Sequence, residues 1–209
     1  MMIGIFGGTF DPVHIGHLRI ALELYQKLPF EKILFVPCRQ PPHRGKPVAS
    51  ISQRLEMLEM AIQGQDGFGL DERELRRKGP SYMVDTLDSM RIDYPDQSLC
   101  LMLGGDAFLH LETWCRWTEL INLANIVVMY RPGYQLKFKD KLGELVDQHR
   151  VDSADMLNSE SSGNILFQPV IQLDISASKI RTLVSSNMSA RYLLPENVRL
   201  YIEAQKLYT

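Results

Sequence analysis

His14 and His17 stand three residues apart, shortly after a diglycine, in the stretch GIFGGTFDPVHIGHLRIA that runs from Gly4 to Ala21. That spacing at a helix start puts both imidazoles on one face of the first turns, and each ring can donate an N–H to a phosphate oxygen. Gly7 and Gly8 lack Cβ atoms, so an anion can approach the backbone amides closely. Pro12 pre-sets the chain for a helix. The free N–H groups expected near Val13 to Ile15, with the helix dipole, favour negative charge there. Thr9 adds a hydroxyl. Asp11 accepts only when ionised and would repel a phosphate, so its expected role is to cap the turn. The chemistry implied is that of a polyphosphate pocket.

Other pockets are testable against the same residues. No GxxxxGK[ST] occurs, and GGTFDP is not GxGxxG, so neither the P-loop nor the dinucleotide fingerprint is present. A zinc-binding helix needs HEXXH, with histidines four apart and a glutamate, and this segment has neither. The three cysteines, Cys38, Cys100 and Cys115, are widely spaced and form no CxxC, which argues against a thiolate metal site and for reduced, semi-buried thiols.

These residues need a scaffold. Met2 to Phe6 reads as a buried strand ending in Gly-Gly. Ile15 to Leu28 reads as an amphipathic helix stopped by Pro29, and Lys32 to Pro37 as a second buried strand. The three form a βαβ unit. The alternation continues with a helix over 52–62 capped by Ser50 or Ser52 and a helix over 81–91 after Gly79-Pro80. Strands follow over 99–105 and 125–133, then a helix over 138–146. Residues 148–164, polar and rich in Ser and Asp, read as a long exposed loop. ILFQP is a short strand, ISASKIRTLV a loop entering a helix, and 195–205 a terminal helix. Apolar strands alternating with helices predict an α/β fold: a doubly wound parallel sheet covered on both faces. In such sheets ligands sit beyond the carboxyl ends of the strands where strand order reverses. Gly7-Gly8 and Gly104-Gly105-Asp106 both fall at that edge.

The bulk numbers bound the partners. The chain has 209 residues, 45% hydrophobic and 23% charged, with a net charge of −2, so a general nucleic-acid binder is not expected. The first residues, MMIGIFGG, have no basic segment, and no apolar run approaches the ~18 residues of a membrane span. A cytoplasmic protein that does not engage membranes is expected. A homo-oligomer is compatible with the sequence.

GGTFDPVHIGH resembles the signature of the HxGH nucleotidyltransferases, and among them of the bacterial nicotinate-nucleotide adenylyltransferases. VPCRQPPHR (36–44), LDERELRRKGPSYMVDTL (70–87), LGGDAFLHLETW (103–114), VVMYRPG (127–133) and ISASKIR (175–181) are similar to that family in the same order. The resemblance implies a Rossmann-like nucleotidyltransferase fold. It makes 1–209 a single domain, with residues 175–209 giving the second phosphate motif and a small helical part packed on the rest. It also implies transfer of AMP from ATP to nicotinate mononucleotide, giving deamido-NAD and pyrophosphate in NAD biosynthesis. Phosphopantetheine adenylyltransferases lack the GPSY and DTL features. Cytidylyltransferases are disfavoured for the same reason. Class I aminoacyl-tRNA synthetases need a tRNA-reading domain for which this chain is too short.

The resemblance also implies roles. His14 and His17 contact the ATP phosphates, with His17 nearest the α-phosphate, and Arg181 forks onto the outer phosphates. The backbone of Gly7 to Phe10, with Thr9, holds a phosphate. Ser178, with the Lys179 and Ile180 amides, opens a helix onto the same oxygens, and Ser176 belongs to that motif. Arg44 and Lys46 clamp the phosphates from a basic loop. Asp106, after Gly104, accepts from a ribose hydroxyl, and Arg131 lies beside the adenine. Trp114 stacks on the nicotinate ring, while Tyr82 and Thr86 bind its carboxylate or steady the loop. Met83 departs from the pattern, which has a threonine there. Mg2+ accompanies ATP, held by substrate oxygens, and no protein side chain is assigned to it.

Overall fold

The computed structural model describes residues 1–209 except 43, 44 and 135. Seven strands form one sheet: β1 (Met2–Gly8), β2 (Phe30–Pro37), β3 (Phe68–Leu70), β4 (Ser98–Gly104), β5 (Asn125–Tyr130), β6 (Arg150–Val151) and β7 (Ile165–Pro169). Every pairing is parallel, in the order β3-β2-β1-β4-β5-β7-β6. The chain builds outward from β1 through β2 to β3, then crosses back to place β4 on the other side of β1. Strand order therefore reverses between β1 and β4.

The helices are α1 (Ile15–Lys27), α2 (Ile51–Ile62), α3 (Arg73–Arg76), α4 (Met83–Asp93), α5 (Gly105–Leu109), α6 (Leu120–Leu123), α7 (Asp140–His149), α8 (Ala154–Ser159), α9 (Ala177–Ser185) and α10 (Glu196–Ala204). They cover both faces of the sheet, which explains the unbroken apolar strands. Met2 and Phe6 of β1, Cys100 and Met102 of β4, and Val127 and Met129 of β5 join one core with α1, α2 and α10. The intervening Ile3, Ile5, Leu99, Leu101, Leu103, Ile126 and Val128 join the other with α4. Successive side chains alternate faces, and both faces are dry.

The strands and helices read from the sequence are present, with end shifts of a few residues, whereas the short α3, α5 and α6 are not read from it. Ser50 is the cap of α2: its hydroxyl accepts from the Gln53 amide while the Gln53 side chain accepts from the Ser50 amide. The expected loop over 148–164 is different. It carries β6, paired in parallel with β7, and α8. Its order comes from Asn125, fully buried at the start of β5. The Asn125 amide nitrogen donates to the Leu157 and Glu160 carbonyls, and its oxygen accepts from the Asn164 amide. No local periodicity reports such an anchor. The short β3 also escapes a sequence reading, since Gly69 interrupts three residues on the sheet edge.

Candidate active site

The carboxyl ends of β1, β2 and β4 open into a cavity of about 630 Å³. Gly7, Gly8 and Thr9 form one wall, Gly104 and Asp106 another, and Tyr82, Met83 and Trp114 close the far end. A second cavity of about 330 Å³ lies beside β5, walled by Tyr130, Arg131, Tyr134 and Gln172. The two share Gly104 and Asp106. Of the sequence-predicted residues, Gly7, Gly8, Thr9, Gly104, Asp106, Tyr82 and Trp114 meet at the first cavity and Arg131 lies at the second. Lys46 is exposed. Arg44 lies outside the described residues.

His14, His17 and Arg181 gather at the β1–α1 turn instead of lining either cavity. His14 is the N-cap residue of α1, and the His14 and His17 rings stack with centroids 3.6 Å apart and planes 21° apart. His17 also meets the rings of Phe6 and Phe10 edge-on. The His14 amide donates to Nδ1 of His17 at 3.3 Å. An accepting Nδ1 carries no proton, so the ring N–H of His17 is at Nε2. His14 is 5% exposed, and burial holds its imidazole down at about 4, so it is neutral near pH 7. Its Nδ1 is buried and has no partner among the described residues. Gly16 makes the pairing of the two rings feasible: a Cβ there would come within 3.0 Å of that nitrogen.

Phe10 contributes backbone only. Its side chain is buried against Phe6 and Phe35, its φ is +49°, and a Cβ on Gly8 would come within 2.8 Å of its ring. The helix-start amides are less available than the sequence suggests. The Ile15 amide donates to the Leu193 carbonyl and the His17 amide to the His14 carbonyl. Asp11 does not cap α1. Its carboxylate accepts from the Val48 and Ala49 amides and from the Tyr208 hydroxyl. Arg181 donates through Nη1 to the Asp11 carbonyl and through Nη2 to the Ser178 hydroxyl. At α9 the cap is Ser176, which accepts from the Lys179 amide. The Ile180 amide donates to the Ser176 carbonyl. Both amides expected to face phosphate are therefore engaged, and the first-turn donors of α9 are those of Ala177 and Ser178.

Thr86 lies outside the cavity wall. It is fully buried, donates to Glu74 at 2.7 Å and accepts from Arg77. Glu74 itself lines the cavity, and burial pushes its carboxyl up. Arg77 also donates to the Tyr82 carbonyl, and Ser81 accepts from the Arg39 amide. Thr86 thus steadies the start of α4 through Glu74. Arg54, 1% exposed, donates to the Thr9 and Cys38 carbonyls and ties the ends of β1 and β2 together. A sequence signal for Arg54 existed: it falls on the apolar stripe of α2 with Met57 and Leu58. Glu74 had a weaker one, as the third acid of the charged stretch LDERELRRK. Tyr208 had none.

The cytidylyltransferase-like family model matches residues 5–183. A protein of Methylococcus capsulatus named probable nicotinate-nucleotide adenylyltransferase is 49% identical over 208 residues, covering 99% of each chain. The chain belongs to the nicotinate-nucleotide adenylyltransferase family. A Hydrogenovibrio crunogenus member of the family is 44% identical, covering 99% of this chain and 97% of its own. Among solved structures, the nicotinic acid mononucleotide adenylyltransferase of Plasmodium falciparum complexed with NaAD has the same fold. It superposes with a TM-score of 0.75 at 16% identity, covering 99% of this chain and 97% of that one. As an adenylyltransferase of this family the chain is an enzyme with a Rossmann-like nucleotidyltransferase fold. Among its described residues no helix is long and apolar enough to cross a membrane.

Proposed function

We propose that the two cavities hold nicotinate mononucleotide and ATP, and that the enzyme transfers AMP between them to give deamido-NAD and pyrophosphate. The observation that carries this reading is the pair of compartments sharing Gly104 and Asp106 where strand order reverses. A product made of two nucleosides joined through phosphates needs two compartments and a shared floor. Residues 1–209 act as one unit, a reading supported by Arg181 and Tyr208 reaching Asp11 and by Asn197 reaching the Met60 carbonyl.

The substrate phosphate attacks the α-phosphorus of ATP directly, so catalysis is positioning and charge stabilisation. Gly7, Gly8, Thr9 and the Phe10 backbone receive the attacking phosphate at the end of β1. His17 donates from Nε2 to the α-phosphate oxygens as the bond to pyrophosphate lengthens. Neutral His14 holds His17 in place by stacking and offers its remaining N–H. Arg181, with the Ala177 and Ser178 amides and the Ser176 cap beneath them, takes the outer phosphates, and Lys46 closes over them. Asp106 accepts from a ribose hydroxyl. Trp114 stacks on nicotinate while Tyr82 and the first amides of α4 meet its carboxylate. Arg131 and the Tyr130 backbone flank adenine.

The family chemistry implies a divalent ion. Among the described residues no three His, Cys, Asp or Glu side chains come together. The acid nearest the phosphate turn, Asp11, already accepts three hydrogen bonds. In this reading Mg2+ enters as part of the Mg·ATP substrate, and no step is assigned to a protein-bound metal.

The decisive experiment incubates the protein with Mg·ATP and nicotinate mononucleotide, nicotinamide mononucleotide or phosphopantetheine, and follows pyrophosphate. A strong preference for the nicotinate nucleotide is expected. Equal or greater turnover of phosphopantetheine overturns the assignment.

A further inference from the structure

We propose that Tyr208 is a positioning residue of this site, acting through Asp11 on Arg181. The proposal rests on the reading above, in which Arg181 holds the outer phosphates of ATP. Asp11 is 4% exposed and lies in the β1–α1 turn. Its Oδ2 accepts from the Val48 amide at 2.8 Å, and its Oδ1 accepts from the Ala49 amide at 3.1 Å and from the Tyr208 hydroxyl at 2.7 Å. Arg181 donates to the carbonyl of the same residue at 2.7 Å and stands 4.0 Å from Oδ2. One buried acid therefore joins four stretches of chain: the phosphate turn, the stretch before α2, the first turns of α9, and the C-terminal residues.

Among the described residues the hydroxyl of Tyr208 is the one side-chain donor within hydrogen-bond distance of that carboxylate; the other two donors are backbone amides. Burial and the facing Asp11 push the Tyr208 phenol up, so it remains a donor throughout the working pH range. The groups that face this pair are cationic: Arg181 on α9 and Arg54 on α2. With Arg181 standing 4.0 Å from Oδ2, the carboxylate must be held at a fixed angle, since a free rotamer would turn it toward Arg181 and draw that fork away from substrate. Tyr208 fixes the angle. Its ring already belongs to the core with Leu207, so the hydroxyl is separable from the packing.

Tyr208→Phe keeps the ring and removes the donor. The expected result is a KM for ATP raised roughly 10-fold, as the loss of one hydrogen bond's worth of positioning gives, with the KM for nicotinate mononucleotide unchanged within about twofold. In an Arg181→Ala background the same substitution should leave the ATP constant unchanged, because the residue through which it acts is gone. An unchanged KM for ATP in the single variant overturns the proposal, and so does an equal effect in both backgrounds, which is what a purely structural tyrosine gives. If Tyr208→Phe folds too poorly to assay, hydrogen exchange on the wild-type enzyme decides. A non-hydrolysable ATP analogue should slow exchange at the Val48 and Ala49 amides, and no change there overturns the link. If the wild-type protein fails to turn over nicotinate mononucleotide, the functional reading fails by itself. Calorimetric ATP affinities of the same variants then test the Tyr208 link with the same outcomes.

Discussion

His14 and His17 form a stacked pair, rings 3.6 Å apart at the start of α1, with the His14 amide held by the His17 ring. The arrangement divides the labour. His14 is buried and neutral; His17, half-buried, has its N–H fixed at Nε2. His17→Ala is expected to lower kcat on the order of 10²-fold or more with little change in ATP affinity, the signature of a donor that acts in the transition state. Steady-state kinetics checks it, and an unchanged kcat moves the catalytic role elsewhere.

Gly16 permits that stack. Gly16→Ala would set a Cβ 3.0 Å from Nδ1 and 3.1 Å from Cε1 of His14. His14 has little room to retreat, since His17 covers its other side. The fold should survive, because alanine is the better helix former. The histidine pair should shift by a few tenths of an ångström and kcat should fall about 10-fold, given how steeply rate depends on alignment. Circular dichroism and kcat measured on one preparation separate the two effects.

Much of the fold is legible in the sequence because both faces of the sheet are dry. Runs such as Ile33 to Val36 and Ile126 to Met129 are unbroken apolar strands for that reason. The diglycine turn, the histidines and Asp106 are legible for a related reason, since their chemistry is carried by local spacing. The nodes that hold the site are not. Asp11 finds Val48 at a separation of 37 residues and Tyr208 at 197, and Thr86 meets Glu74 across two elements. Spacing cannot announce a partner that only the closed fold supplies. The Asn125 anchor that orders residues 148–164 is hidden in the same way.

The buried His14 sets a pH dependence of stability. Its folded pKa, about 4, lies below the unfolded value of 6.5, so between those values the unfolded chain binds more protons than the folded one. Stability is full above pH 6.5 and falls as pH drops toward 4, by about 3 kcal/mol at the low end. Glu74, whose carboxyl burial pushes up, works in the opposite sense. The comparison that isolates His14 is therefore with His14→Asn. Urea midpoints of the wild type should decline over this window more steeply than those of the variant, and parallel declines would exclude His14 as the source.

Glu74 and Thr86 supply the last test, of the nicotinate end of the cavity. Thr86 is fully buried and its hydroxyl donates to Glu74. Glu74→Gln keeps an acceptor at that position and removes a charge that burial already disfavours. It should cost less than about 1 kcal/mol. Glu74→Ala leaves the Thr86 hydroxyl only its longer bond to the Tyr82 carbonyl, at 3.3 Å, and loosens the turn before α4, so about 1–2 kcal/mol of stability should be lost. Tyr82 and Met83 line the cavity from that turn, whereas the cavity beside β5 has no residue from it. The KM for nicotinate mononucleotide should therefore rise roughly 10-fold in the alanine variant while the KM for ATP stays near wild type. A matching rise in both constants would mean that the network supports the whole site rather than its pyridine end.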